Sequence, residues 1–157
     1  MSYSVVFFGT PDFAVPSLEA LVGDPAFDVK LVVTQPDKPV GRKKIITPPP
    51  VNVVAKKHRI PVLQPENANK EPRIKSQECD FFVVVAYGQI LSDDLLHVPK
   101  IAAVNLHASL LPRWRGASPI QNSILVGDRE TGVTVQKMVR ELDAGPILAQ
   151  ERTQMST

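Results

Sequence analysis

Short apolar runs alternate along the chain with segments whose apolar residues recur at helical spacing. The first run covers residues 4 to 8, a helical spacing follows from Phe13 to Val22, and a second run covers residues 29 to 33. A strand, a helix and a further strand form a βαβ unit, which implies two parallel strands joined by a right-handed crossover.

The later segments continue this alternation. The run Phe81 to Ala86 has no polar face, as is typical of a central strand that is covered on both sides. The pattern predicts further strands that end near His107, cover residues 132 to 139 and begin near Ile147, and helices over residues 51 to 57, 71 to 77 and 118 to 126. We therefore predict an α/β fold with an open, doubly wound, mostly parallel sheet of Rossmann-like type.

Residues 34 to 50 interrupt the alternation. They contain five prolines and Gly41, so regular helix or strand is not expected there, and a loop of this length in a compact domain is usually functional. Residues 34 to 59 hold seven basic side chains and one acid, a net charge of +6, whereas the rest of the chain carries −4. A basic segment on an acidic body indicates a polyanionic partner.

The composition argues against several kinds of site. With Cys79 as the one cysteine, an intramolecular disulfide is impossible, and we interpret it as a small buried residue at a strand entrance rather than a catalytic thiol. The three histidines lack metal-ligand spacing, so no metal is expected. Neither phosphate-binding glycine motif, GxGxxG or GxxxxGK[ST], is present.

The N-terminus lacks the features of a targeting segment. It has no basic start followed by an apolar stretch and a cleavage site, and no Arg-rich amphipathic pattern. No apolar run reaches the length that spans a bilayer. We expect a cytoplasmic protein that has no membrane partner and acts as a monomer.

Polar residues gather where the predicted strands end, which is where open α/β sheets bind ligands. Asn105 and His107 stand two apart in a strand and so share a face, where an amide and an imidazole suit a reaction that forms an oxyanion. The alternative is that both only satisfy loop backbone groups. Asp143 follows a strand in a turn-rich segment, where it either bonds the backbone or reaches His107.

The motif Asn105-Leu106-His107-Ala108-Ser109-Leu110-Leu111-Pro112 resembles that of the folate-dependent formyltransferases. The resemblance continues through residues 113 to 121 and includes residues 8 to 14, 33 to 42 and 85 to 91, so it covers nearly the whole chain.

The resemblance implies that the protein transfers a formyl group from 10-formyltetrahydrofolate to the α-amino group of methionyl initiator tRNA. It implies that Asn105, His107 and Asp143 are catalytic. The residues expected to bind the folate are Ser109, Leu110, Leu111, Pro112, Gln89, Ile90, Leu91, Leu142, Ala144 and Gly145. Those expected to bind tRNA, on the basic loop, are Lys38, Arg42, Lys43 and Lys44.

Two structural expectations follow from the same resemblance. The peptide bond between Leu111 and Pro112 is expected to be cis. Residues 1 to 157 are interpreted as the formyltransferase catalytic domain, truncated at its C-terminal end and without the family's C-terminal OB-like domain, which adds tRNA contacts in the family.

Two other functions remain open. A formyltransferase for a small amine, such as a sugar nucleotide, would share the three catalytic residues but would not need the basic loop. A non-catalytic nucleic-acid-binding α/β module would use the loop but would leave Asn105 and His107 without a role.

Overall fold

In the computed structural model, residues 1–156 are described. The strands are β1 (Tyr3–Gly9), β2 (Phe27–Val33), β3 (Lys38–Val40), β4 (Ile45–Thr47), β5 (Val62–Leu63), β6 (Phe81–Val85), β7 (Ala102–His107), β8 (Glu130–Lys137) and β9 (Ile147–Gln154). The helices are α1 (Val15–Gly23), α2 (Pro50–Lys57), α3 (Pro72–Lys75), α4 (Asp93–Leu96) and α5 (Pro119–Val126), with 3-10 turns at Asp12–Ala14 and Ala68–Lys70.

Seven of the strands form one sheet in the order β5-β2-β1-β6-β7-β8-β9. The first five of these strands are parallel, and β8 and β9 are antiparallel to their neighbours. The predicted fold class and the βαβ unit formed by β1, α1 and β2 are therefore confirmed. Because β8 runs antiparallel to β7, β8 finishes at the end of the sheet opposite to the one where β7 finishes. The chain must therefore turn back after β8 to reach the end of β7.

The core lies on both faces of the parallel strands. Successive residues of β1 point to opposite faces: Phe7 packs with Leu18 of α1 in one layer, and Phe8 packs with Phe82 in the other. All four side chains are completely buried. Burial on both faces explains why these strands read as uninterrupted apolar runs.

Residues 34–50 differ from the prediction. Strands β3 and β4 pair antiparallel and form a hairpin, closed by a turn in which the Lys44 N–H donates to the Gly41 carbonyl at 3.1 Å. Gly41 and Lys44 both have positive φ angles, of 72° and 49°. Pro39 fits within β3 because each strand of a two-stranded sheet has one free edge, where a missing N–H costs no ladder bond.

Cys79 is fully buried, as expected of a structural residue at the entrance to β6. Burial raises the pKa of its thiol to about 11. Among residues 1–156, no helix has both the length and the apolar character that a membrane span requires. The same residues contain no group of three or more His, Cys, Asp or Glu side chains arranged to hold a metal ion.

Candidate active site

A cavity of about 690 Å³ opens beside the end of β7. Its walls come from the turn after β6, the end of β7, the start of α5 and the segment that follows β8. The lining residues include 86–91, 105–108, 116–121 and 136–143, together with Gly145. Asn105, His107 and Asp143, predicted as a catalytic group, all line this cavity.

One face of β7 and β8 is polar next to the cavity. Asn105 pairs with Gln136 and His107 pairs with Thr134 across the antiparallel ladder. Residues that are directly opposite each other project to the same face, so these side chains form one group. His107, Thr134 and Gln136 are all buried.

The imidazole of His107 is fixed through its Nε2 atom. Nε2 lies 2.8 Å from the carbonyl oxygen of Trp114, and Nδ1 lies 3.7 Å from Oδ1 of Asp143. A carbonyl can only accept, so Nε2 carries a proton and donates it. The other nitrogen, Nδ1, is left facing the carboxylate and the cavity, which makes it the atom available for chemistry.

Asp143 is held by two hydrogen bonds of its own. Its Oδ2 accepts from the Gly116 N–H at 2.7 Å, and its Oδ1 accepts from Nε2 of Gln136 at 3.1 Å. Its φ angle is 50°, a left-handed conformation that Asp tolerates better than most residues. The residues alone left open whether Asp143 bonds the backbone or reaches His107. In the structure it does both: it accepts from a main-chain N–H and lies 3.7 Å from Nδ1 of His107, farther than a hydrogen bond.

The segment after β8 folds back to bring Asp143 to the site. The Met138 N–H donates to the Ala103 carbonyl at 2.8 Å, and the Lys137 N–H donates to the Pro146 carbonyl at 2.9 Å. A Cβ atom at Gly145 would overlap the Lys137 carbonyl oxygen, so only glycine permits this close return. The sequence suggested that Asp143 follows the end of a parallel strand. Instead, it reaches the site on a segment that returns after the antiparallel strand β8.

The residues predicted to bind folate fall into two groups. Gln89, Ile90, Leu91, Leu142 and Gly145 line the cavity, whereas Ala144 and residues 109–112 are absent from its lining.

Residues 109–112 build the turn that leaves β7. Ser109 is fully buried and its Oγ donates to the Arg113 carbonyl at 2.6 Å. The Leu111 N–H donates to Oγ1 of Thr134 at 3.1 Å, and Gln150 donates to the Leu111 carbonyl at 2.9 Å. The bond between Leu111 and Pro112 is cis, as predicted. These bonds hold the turn to β8 and β9 beside the end of β7.

The sequence reasoning missed Thr134 and Gln136, which bind the turn and Asp143. Both are polar residues that alternate with valines in a strand, a signal that would have placed them on one face. It also missed Trp114, whose main-chain oxygen binds His107. Every residue has a main-chain carbonyl, so the residue type does not reveal such a contact.

The basic hairpin connects to the cavity wall at its base. Gln35 donates to the Tyr87 carbonyl at 3.2 Å and accepts from Gln89 at 3.4 Å. Gln64 donates to the Gln35 carbonyl and to Oδ1 of Asp37. The predicted tRNA-binding side chains lie on this hairpin, exposed and outside the cavity lining: Lys38, Arg42, Lys43 and Lys44.

Known proteins resemble this chain in both sequence and fold. The family model described as formyl transferase matches residues 3–157. The chain is 53% identical over 149 residues to "Methionyl-tRNA formyltransferase" of Halalkalibacterium halodurans, covering 93% of this chain and 47% of that protein. It is 52% identical over 158 residues to the protein of the same name in Halorhodospira halophila, covering 99% of this chain and 51% of the relative. The chain therefore spans about half the length of these curated relatives.

The solved structures show the same fold. Phosphoribosylglycinamide formyltransferase from Bacillus halodurans superposes with a TM-score of 0.77 at 26% identity, covering 98% of this chain and 80% of that one. A formyltetrahydrofolate deformylase from Pseudomonas syringae gives 0.76 at 24% identity, covering 99% and 52%. The family match over nearly the whole chain, together with the fold, shows that this chain belongs to the formyl transferase family.

Proposed function

We propose that the protein transfers the formyl group of 10-formyltetrahydrofolate to the α-amino group of methionyl initiator tRNA. The observation that carries the proposal is the convergence of Asn105, His107 and Asp143 in one cavity. The relatives named methionyl-tRNA formyltransferase, about half identical to this chain, support this choice of acceptor.

The proposed reaction begins when the amine nitrogen attacks the formyl carbon. The carbonyl oxygen then takes a negative charge, and Asn105 and His107 donate hydrogen bonds to it as that charge develops. His107 donates from Nδ1 in its imidazolium form, in which Nε2–H remains bonded to the Trp114 carbonyl. The tetrahedral species breaks down by cleavage of the carbon bond to the folate nitrogen, which leaves the formyl group on the amine. The amine loses one proton and the leaving nitrogen gains one.

Asp143 has two tasks in this scheme. Its carboxylate lies 3.7 Å from Nδ1 of His107 and stabilises the positive charge that the imidazole carries when both nitrogens hold protons. Through a water molecule it also takes up the proton that the amine releases. The hydrogen bonds from Gly116 and Gln136 hold the carboxylate in place for both tasks.

The folate donor is proposed to occupy the cavity itself. The volume of about 690 Å³ lies within the range of small-molecule sites. Gln89, Ile90 and Leu91 would contact the donor on one side, and Leu142 and Gly145 on the other. Residues 109–112 would shape the site from the turn that follows β7. Ala144 would do so from the segment that folds back after β8.

The acceptor is proposed to bind along the hairpin. Lys38, Arg42, Lys43 and Lys44 are exposed there, and a cluster of such side chains binds a phosphate backbone with a strong dependence on salt. A small amine would have no use for this surface.

Formyl transfer from 10-formyltetrahydrofolate tests the proposal when several acceptors are compared. We expect the full-length protein to formylate methionyl initiator tRNA and not glycinamide ribonucleotide or an amino-sugar nucleotide. Preferential formylation of a small amine would contradict the proposed acceptor. Binding of tRNA without transfer to any amine would show a non-catalytic module.

A further inference from the structure

Asp128 lies outside the cavity lining, yet it anchors the segment that binds His107. It follows α5, and its N–H donates to the Ser123 carbonyl at 2.9 Å. Its Oδ1 accepts from Nη2 of Arg113 at 2.6 Å, and its Oδ2 accepts from Nε of Arg113 at 3.1 Å and from Nε1 of Trp114 at 2.7 Å. The Asp128 side chain is only 13% exposed.

The main-chain carbonyls of Arg113 and Trp114 point away from Asp128, towards the active-site strand and its turn. The Arg113 carbonyl accepts from Oγ of Ser109, and the Trp114 carbonyl accepts from Nε2 of His107. Trp114 has a φ angle of 57°, a conformation that a bulky residue adopts only where its surroundings impose it. Asp128 holds both side chains on the outside, while both carbonyl oxygens bind the active-site strand and its turn.

The orientation of the Trp114 carbonyl decides which nitrogen of His107 works in catalysis. While this oxygen accepts from Nε2–H, Nδ1 is the nitrogen that faces Asp143 and the cavity. If the oxygen turned away, the neutral imidazole could carry its proton on either nitrogen, and the ring could rotate.

We propose that Asp128 is a positioning residue that acts through the Arg113–Trp114 segment to fix the tautomer and the orientation of His107. This role rests on the proposed function, since it serves the formyl-transfer step assigned to His107. Asp128 itself touches neither the cavity nor the imidazole.

The ion pair with Arg113 alone holds the segment only weakly. The Arg113 side chain is 56% exposed, and exposed pairs contribute little to stability. The second contact, from the indole N–H of Trp114, makes the arrangement specific, because it fixes the residue whose carbonyl binds His107. The guanidinium of Arg113 also lies 4.7 Å from the centre of the Trp114 ring, which adds a cation–π contact.

The experiment compares Asp128→Ala and Trp114→Phe with a matched control, Glu130→Gln. Glu130 lies two residues after Asp128 and forms an exposed ion pair with Arg152. This pair does not involve Trp114 or His107, so its loss should leave the imidazole unchanged. Trp114→Phe keeps an aromatic ring at this position and removes the N–H donor together with the five-membered ring of the indole. Long-range ¹H–¹⁵N spectra of the full-length protein, assigned with His107→Gln, report which ring nitrogen of His107 carries the proton.

In spectra recorded at a pH where the imidazole is neutral, we expect His107 to carry its proton on Nε2 in the wild type and in Glu130→Gln, and to become a mixture of tautomers in Asp128→Ala and Trp114→Phe. The turnover number should fall about tenfold in both variants, because a small displacement of a reacting group is costly, while the KM for the folate stays within about twofold. A wild-type His107 spectrum in folded Asp128→Ala would overturn the proposal, even if turnover fell. The spectra require no substrate, so a protein that transferred no formyl group would contradict the proposed function alone.

Discussion

Nδ1 of His107 lies 3.7 Å from Oδ1 of Asp143, and both side chains are less than one-tenth exposed. Each residue is fixed by other partners: His107 by the Trp114 carbonyl, and Asp143 by Gly116 and Gln136. Neither side chain therefore depends on the other for its position. Both residues line the cavity, so a reacting group or a water molecule beside the pair can contact both side chains.

Replacement of Asp143 by Asn should lower the turnover number by about 10²-fold, the usual contribution of a positioned acid or base. The amide keeps the volume of the side chain, but it loses the charge opposite His107 and one of the two acceptors that bind Gly116 and Gln136. Steady-state kinetics with saturating folate measure the effect, and thermal unfolding controls for folding. Wild-type turnover in Asp143→Asn would remove this residue from the proposed mechanism.

Replacement of Arg42 by Ala should weaken formylation of methionyl-tRNA and leave folate affinity unchanged, since the hairpin lies outside the cavity lining. The loss should shrink as salt rises, because screening removes the same attraction. Lys75→Ala, which removes an exposed charge on α3, is the matched control and should have no effect. Equal kinetics for Arg42→Ala and Lys75→Ala at low salt would show that the hairpin does not bind tRNA.

Asp80 should stabilise the fold in a manner that depends on pH. Its carboxylate accepts from the N–H and the hydroxyl of Ser4, both at 2.8 Å, and these bonds hold its pKa below the ordinary value of 3.8. A lowered pKa contributes stability that is present above the ordinary value and is lost as pH falls towards the folded value. Asp80→Asn should thus lower Tm clearly at pH 7 and much less near pH 3. An equal loss of Tm at both values would contradict this reading.

Cys79 should resist thiol reagents in the folded protein. It is fully buried, and with a pKa of about 11 almost none of it is thiolate at pH 7. We expect labelling by an aromatic disulfide to proceed only after addition of denaturant, at the rate of a free thiol. Rapid labelling of the native protein, with one equivalent of reagent consumed, would show that the entrance to β6 opens readily.

The sequence was sufficient for the parallel part of the fold and for two of the three catalytic candidates. Apolar runs such as Phe81–Val85 are recognisable as strands because both of their faces are buried. The two-residue period of a strand places Asn105 and His107 on the same face. The proximity of Asp143 to His107 could be predicted only from the resemblance to the family. Its approach depends on an antiparallel strand and on the return permitted by Gly145, and neither is encoded in local spacing.

The hairpin and the role of residues 109–112 could not be predicted for two different reasons. Prolines argue against a strand in general, but a two-stranded hairpin has free edges that accept them, as at Pro39. Residues 109–112 carry the strongest motif, yet Ser109 and Leu111 are turned inward to bind the chain at Arg113 and Thr134. A motif identifies residues that matter without stating whether they contact the ligand or shape its site.

The central claim is that Asn105 and His107 stabilise the oxyanion of formyl transfer. Its most direct test is the single-turnover rate of formyl transfer from 10-formyltetrahydrofolate to methionyl initiator tRNA for the wild type, Asn105→Ala and His107→Ala, with folate affinity measured in parallel. Removal of an oxyanion donor should reduce the rate by on the order of a hundredfold or more in each variant, with folate affinity nearly unchanged. Wild-type rates in both variants, measured on folded protein, would contradict the account.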